Sequence, residues 1–130
     1  MKINNRYLGL SVDKLMADLN YFGLLFESLV VRDIRIYAGA AGGKAFHYRD
    51  SRGLEIDAVV EYADGTWAAF EIKLGIGAAD AAAENLLKFA GKIDTQKTKA
   101  PAALTVITGN GFAYRRPDGV NVVPISTLTV

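Results

Sequence analysis

Two neighbouring segments of alternating side chains constrain this chain more than any other feature. Residues 54–62 (LEIDAVVEY) and 66–74 (TWAAFEIKL) have the length and alternation of β-strands. The intervening Ala63-Asp64-Gly65 fits a three-residue hairpin loop whose glycine takes the left-handed conformation. The sequence therefore predicts an antiparallel hairpin in which Tyr62 pairs with Thr66.

This register brings charged residues of the two strands together. Counting back from the turn, Asp57 lies opposite Glu71, and Glu55 lies opposite Lys73. Directly opposed residues have Cβ atoms roughly 4.5–5.5 Å apart, so the two carboxylates would meet. Such a pair repels unless one acid is protonated or a cation neutralises both, and a divalent ion with oxygen ligands does the latter. We expect these four side chains on one face of the sheet.

Alternation also predicts which apolar side chains share the opposite face. The first strand is expected to place Leu54, Ile56, Ala58 and Val60 together, and the second to place Ala68, Phe70, Ile72 and Leu74 together.

The residue types available restrict the chemistry of a site. The chain has no cysteine and one histidine, so a catalytic metal would be held mainly by oxygen, which favours a hard ion such as Mg²⁺ or Mn²⁺. Our hypothesis assigns metal binding to Asp57, Glu71 and the backbone carbonyl of Ile72. Lys73 would orient the attacking water or stabilise charge on a phosphate, and Glu27 would supply a third carboxylate from a helix. The expected reaction is in-line hydrolysis of a phosphodiester.

A purely structural interpretation stays open for each of these residues. Charged residues that alternate on a strand often form a solvated face, here with a cross-strand Glu55–Lys73 pair. Glu27 would then lie on the polar side of an amphipathic helix. His47 is interpreted as a packed or half-exposed side chain and is left out of the site.

Elsewhere the spacing of apolar residues predicts the remaining elements. Helices are expected from Ser11, with Val12, Leu15, Met16 and Leu19 as its core face, from Gly23 to before Gly39, and from Ala78 to Ala90; strands are expected at 45–49, 102–108 and 120–123. The prediction is an α/β fold with a central mixed β-sheet flanked by helices.

Length and composition fit one domain. The 130 residues are 51% hydrophobic and 22% charged, which is enough apolar content for a buried core. We expect a single domain with a helical lead-in over residues 1–22 and a core over residues 23–125. The net charge of +1 means that any phosphate binding would be local. No apolar run is long enough to cross a bilayer, so we expect no membrane contact and a cytoplasmic protein.

Several short motifs together resemble a known family. They are Gly23-Leu24-Leu25-Phe26-Glu27, Tyr48-Arg49, Gly53-Leu54-Glu55-Ile56-Asp57 and Phe70-Glu71-Ile72-Lys73. They resemble the domain of unknown function that follows bacterial and archaeal AAA-type ATPase modules, which is grouped with the PD-(D/E)XK nuclease-like superfamily. The resemblance covers about residues 20–125.

The resemblance implies a restriction-endonuclease-like core and a role for each matching residue. Glu27 corresponds to the helix carboxylate, Asp57 to the motif aspartate, and Glu71 and Lys73 to the E-x-K signature. Ile56 stands where the motif has proline. No P-loop is present, so ATP binding is not expected in this chain, which looks like the C-terminal part of a larger ATPase or a stand-alone relative.

Three functions follow as expectations. The first is a Mg²⁺-dependent nuclease-like domain that acts on DNA. The second is a non-catalytic module that binds nucleic acid or a protein partner for an ATPase. The third is a structural or dimerisation domain, favoured if another subunit covers the face that carries Asp57 and Glu71; fold resemblance alone does not decide among them.

Overall fold

The chain forms a six-stranded mixed sheet with two helices. The computed structural model describes residues 5–128, and side chains from residue 12 to residue 127. The elements are α1 (Asn5–Ala40), β1 (Gly43–Arg49), β2 (Glu55–Tyr62), β3 (Trp67–Lys73), α2 (Ala79–Gly91), β4 (Ala103–Thr108), β5 (Tyr114–Arg115) and β6 (Asn121–Pro124), with 3-10 turns at Ile76–Ala78 and Ile125–Leu128. The predicted α/β class is confirmed.

The sheet has the strand order β1-β2-β3-β4-β6-β5. The first three strands run antiparallel to one another, and β4 and β6 run parallel to β3. The parallel pairing of β3 with β4 requires a crossover, and α2 supplies it. α1 and α2 pack on opposite faces of the sheet, since each contributes to a different apolar cluster.

α1 is one continuous helix, and the predicted break at Gly23 is wrong. The helix runs through both Ser11 and Gly23 and continues past Gly39. A glycine inside a helix costs only about 1 kcal/mol relative to alanine, so it does not end a helix that tertiary contacts hold on its C-terminal side. The turn into β1 instead uses Gly42, whose φ of 81° is left-handed.

The N-terminal part of α1 does not form core, contrary to expectation. Val12, Leu15, Met16 and Leu19 are 43–55% exposed, because no described element of the structure covers them. Further along the same helix Val30 and Ala38 are buried, and Val30 packs with Ile72 and Ile107 of the sheet. Among the described side chains of α1, burial is therefore confined to the C-terminal half of the helix.

The opposite face of the sheet carries the larger core. α2 buries Ala79, Ala82, Ala83, Leu86 and Phe89 against β2, β3, β4 and β6. The small alanine side chains let the helix approach the sheet closely. Trp67 packs edge-on against Phe89 at 5.6 Å between ring centroids, and its indole N–H donates to the carbonyl of Lys99 at 2.6 Å.

The predicted hairpin register is confirmed. The pairs run from Glu61 with Trp67 to Ala58 with Phe70, as the count from the turn requires. Tyr62 N–H donates to Thr66 O at 2.9 Å, and Gly65 has the expected positive φ of 85°. The local sequence therefore determines the register of β2 and β3, the two strands that carry Asp57 and Glu71.

None of the helices that the structure describes has both the length and the apolar content needed to span a membrane.

Candidate active site at the divergence of two strands

Backbone pairing between β2 and β3 ends where the two candidate acids lie. Beyond Ala58 and Phe70, side chains replace the backbone ladder. The Asp57 N–H donates to Glu71 Oε1 at 3.0 Å, and the Ile72 N–H donates to Asp57 Oδ2 at 2.8 Å. The two acids are therefore adjacent, as predicted, and each carboxylate is held by backbone of the other strand. The prediction that they share one face is wrong, because Asp57 lines a cleft beside α1 whereas Glu71 is hydrogen-bonded by Asn85 of α2.

A β-bulge in β2 causes this divergence. On its other edge β2 pairs Ile56 with Tyr48 and Val59 with Phe46, so Asp57 and Ala58 together oppose His47 alone. An extra residue on one strand reverses the alternation beyond it and re-aims side chains, often beside an active site. Ile56 consequently packs with Val59 in the α2 cluster. The prediction that Ile56 shares a face with Ala58 and Val60 is wrong for this reason.

On β3 the predicted alternation is confirmed. Phe70 and Ile72 pack on the α1 side, whereas Trp67 and Ala69 belong to the cluster beneath α2. Without a bulge, β3 keeps the two-residue period that its sequence predicts.

Glu71 is a buried acid held from two sides. The residue is 4% exposed. Besides the Asp57 N–H, the side chain of Asn85 on α2 hydrogen-bonds to it, and Asn85 Nδ2 also donates to the carbonyl of Glu55 at 2.9 Å. Burial, followed by the negative charge of Asp57, raises the pKa of Glu71 to about 7, and these hydrogen bonds oppose the rise.

Glu27 reaches the same acids from α1. It is half-buried and shares a hydrogen bond with the Asp57 carboxylate. Desolvation, then this hydrogen bond and the charge of Asp57, raises the pKa of Glu27 to about 7, while the Lys73 ammonium acts in the opposite direction. Burial and the hydrogen bond to Asp57 therefore favour the protonated form of Glu27.

Lys73 lies at the end of β3, beside the acids. With Glu27, Gly23 and Leu24 it lines a shallow cleft of about 340 Å³. Its positive charge stabilises the ionised forms of both Glu27 and Glu71. The structure thus brings together the four predicted catalytic side chains, which are Glu27, Asp57, Glu71 and Lys73.

Glu55 does not pair with Lys73. Its carboxylate instead accepts from Arg49 Nε at 2.7 Å and lies 3.7 Å from His47 Nε2. Arg49 is its neighbour across the β1–β2 ladder, and that edge of β2 is the one the bulge leaves paired. The predicted cross-strand pair is wrong, which leaves Lys73 available to the acids.

The atoms available as metal ligands are of the type that a divalent ion binds. They are carboxylate oxygens, and the Ile72 carbonyl points to the same edge of β3 as the Ile72 N–H, toward Asp57. Among the residues described, no group of three or more histidine and acidic side chains is arranged to hold a metal ion. A Mg²⁺ ion, however, typically takes only one or two carboxylates and keeps several waters. Asp57, Glu71 and the Ile72 carbonyl meet that lesser demand.

Sequence reasoning missed Asn85, which holds Glu71 and β2 together. A signal was present, because Asn85 falls three residues after Ala82 and four before Phe89, on the buried stripe of α2. A polar residue on such a stripe needs a buried partner, and here the partners are Glu71 and the carbonyl of Glu55.

A family model supports part of the resemblance. The model described as a domain of unknown function (DUF4143) matches residues 22–128. The chain belongs to this family. No curated protein and no solved structure matches the chain. The family description assigns no activity, so function must be argued from the site.

Proposed function

We propose that this DUF4143 domain hydrolyses phosphodiester bonds of DNA with Mg²⁺ or Mn²⁺, using Glu27, Asp57, Glu71 and Lys73. The observation that carries the proposal is the divergence of β2 and β3 at Asp57 and Glu71. It leaves two acids, a lysine and a backbone carbonyl edge beside one another at the point where the two strands separate. Perturbed acids of this kind cluster at functional sites.

The order of elements supports a restriction-endonuclease-like core. A helix precedes three antiparallel strands, and a second helix on the other face leads to a strand parallel to the third. The match of the motifs with the PD-(D/E)XK pattern agrees with this arrangement. We also propose that the domain acts together with an AAA-type ATPase module, like the domains that it resembles. Such a module would have to supply the ATP site, since this chain contains no P-loop.

Each residue has a role that its surroundings favour. Asp57 and Glu71 would hold the ion with the Ile72 carbonyl, and Asn85 keeps Glu71 oriented. A bound divalent ion would supply a polarised phosphoryl oxygen and an acidified water. Lys73 would stabilise the negative charge that develops on the phosphate. Glu27, with a pKa of about 7, is suited to accept or donate a proton near neutral pH.

Plasmid nicking tests the reaction directly. Wild-type protein with Mg²⁺ or Mn²⁺ is expected to nick plasmid DNA, and chelation should stop it. Asp57→Asn and Lys73→Ala are each expected to lower the rate at least about 100-fold, as for loss of one group that stabilises the transition state. Glu61→Gln, on the exposed part of β2, is the matched control and should nick like wild type.

Calorimetric titration separates metal binding from contamination by another nuclease. Wild type is expected to bind Mn²⁺ with one site, and Asp57→Asn to bind it at least tenfold more weakly. Equal nicking by wild type and Asp57→Asn, with unchanged circular dichroism, would refute the proposal.

A non-catalytic module is the second candidate, and one observation favours it. The Glu27–Asp57 hydrogen bond and the raised pKa of Glu71 both favour protonation, which lowers the repulsion between the acids without a metal ion. This candidate, which would bind nucleic acid or a protein partner for an ATPase, predicts no nicking with any metal and DNA binding that survives Asp57→Asn.

A further inference from the structure

A second cleft adjoins the acids on the side of α1 away from Lys73. It has a volume of about 550 Å³ and is open to solvent. Its lining includes the acids Glu27 and Asp57 and the basic residues Arg32 and Arg35 of α1 and His47 of β1. Two carboxyl groups and a basic wall therefore share one continuous surface.

The positions of Arg32 and Arg35 are not explained by any partner among the described side chains. No ion pair or hydrogen bond of the Arg32 or Arg35 side chain occurs within residues 12–127, where side chains are described. On α1 the positions three and four residues from each of them hold no acid, and the two are three residues apart. Like charges at that spacing destabilise a helix. The fold itself gains nothing evident from this pair of charges.

Two other arginines of the chain are paired with acids. Arg49 pairs with Glu55, and Arg116 pairs with both Asp80 and Asp118. Those arginines are neutralised by the protein, whereas Arg32 and Arg35 present their charge to the cleft.

The spacing along α1 suits a polyanion that extends from the acids. At 1.5 Å per residue, Arg32 lies about 7 Å and Arg35 about 12 Å along the helix axis from Glu27. Phosphates of one DNA strand follow one another at about 3.4 Å along the duplex axis. The two arginines would therefore meet phosphates roughly two to four nucleotides from one held at the acids.

We propose that Arg32 and Arg35 form a phosphate-binding track that holds the nucleic-acid strand on one side of the reacting phosphodiester. This inference rests on the proposed function, because it takes the acids as the reacting centre. The proposal assigns the binding of flanking phosphates to two arginines that lie outside the motifs shared with the nuclease-like superfamily. It also gives a chain of net charge +1 a local basic surface for a nucleic-acid strand.

The test compares a short substrate with a long one. Arg32→Ala/Arg35→Ala should raise the KM for a 20-nucleotide DNA at least tenfold with kcat within about threefold. The same variant should hydrolyse bis(p-nitrophenyl) phosphate like wild type, because that diester has no flanking phosphates. The control Lys88→Ala/Lys97→Ala removes two exposed charges on and after α2, away from this cleft, and should change neither value.

Binding without turnover gives a second measurement. In chelator, fluorescence anisotropy of a labelled 20-nucleotide DNA should show weaker binding by the arginine variant. For this variant the slope of log K, the logarithm of the DNA-binding constant, against the logarithm of the salt concentration should be shallower by about 1 to 2. Two phosphate contacts contribute a slope of that size. Circular dichroism and thermal midpoints of both variants should match wild type, since both arginines are exposed.

The outcomes separate the two proposals. Arginine-dependent DNA binding without any hydrolysis would keep the phosphate track and refute the nuclease. Hydrolysis of DNA with the same KM in wild type, the arginine variant and the lysine control would keep the nuclease and overturn the track. Equal loss of activity on the small diester and on DNA would also overturn it, because the arginines would then serve the reacting phosphate.

Discussion

The two faces of the sheet are built for different purposes. Beneath α2, among the described side chains, thirteen buried residues form one continuous apolar cluster, and Leu86, Val106 and Val122 have no exposed surface. Beneath α1 the corresponding cluster has three buried residues, and an open cleft with charged walls adjoins it. The α2 face supplies stability, whereas the α1 face carries charges that burial and mutual repulsion make unfavourable.

The comparison teaches how the site is supported. Glu71 lies between the two faces, bound from the α2 side by Asn85 and from β2 by the Asp57 N–H. The tightly packed α2 face can hold the buried acid Glu71 in place, because the apolar contacts of that face do not depend on Glu71. Four measurements test this division, from the largest expected effect to the smallest.

Leucine truncation on each helix compares the two faces directly. Leu86→Ala is expected to lower the free energy of unfolding by about 2–5 kcal/mol, since it removes a fully buried side chain. Leu29→Ala on α1, 47% exposed, should change it by about 0.5 kcal/mol or less. Urea denaturation of both variants gives the values. A large loss for Leu29→Ala would mean that something covers α1 in solution, and the contrast between faces would fail.

Protonation of Glu71 is expected to make stability depend on pH when metal is absent. Its pKa is about 7 in the fold and 4.5 in the unfolded chain, so the folded protein binds the extra proton between these values. The resulting stabilisation is fully present below pH 4.5 and is lost as pH rises through 7, by at most about 3 kcal/mol.

The matched variant for this measurement is Glu71→Gln. In chelator, thermal midpoints from pH 5 to pH 8 should fall less for Glu71→Gln than for wild type, and Glu61→Gln should behave like wild type. Adding Mg²⁺ should raise the wild-type midpoint more at pH 8 than at pH 5, because protons compete for the same oxygens. A wild-type midpoint that rises with pH in chelator would contradict the assignment.

Asn85→Ala tests the support that α2 gives to the acid. Loss of its hydrogen bonds to Glu71 and to the Glu55 carbonyl should cost about 1–3 kcal/mol. The pKa of Glu71 should rise further, because Asn85 favours its ionised form. Carboxyl ¹³C chemical shifts followed over pH would measure this change. An unchanged pKa would show that Asn85 is a packing residue only.

Gly23→Ala addresses the helix on the open face and should have the smallest effect. A Cβ there meets nothing within 4 Å, so alanine should stabilise α1 by about 0.5–1 kcal/mol. The control is Gly109→Ala, whose Cβ would lie 2.8 Å from the Leu74 carbonyl oxygen and should destabilise the fold. Destabilisation by Gly23→Ala would indicate a close neighbour at that point of α1.

Much of the site follows from sequence alone. The alternation of β2 and β3 and the Ala63-Asp64-Gly65 loop determine the hairpin register, and with it the proximity of Asp57 to Glu71. These features are local, since a two-residue period and a turn with a left-handed glycine leave one pairing. The helical spacing likewise predicted α2 to within a residue at each end.

Tertiary structure decided how these residues face one another. The bulge at Asp57 depends on how β2 pairs with β1, and it overrode the alternation that placed Ile56 with Ala58. The contact of Asn85 with Glu71 joins elements distant in sequence. Packing of α1 on the sheet likewise holds a helix that continues through Gly23, and it leaves Arg32 and Arg35 without an acidic partner among the described side chains. Local patterns fix which residues are neighbours along a strand, but only packing against other elements sets where a side chain points.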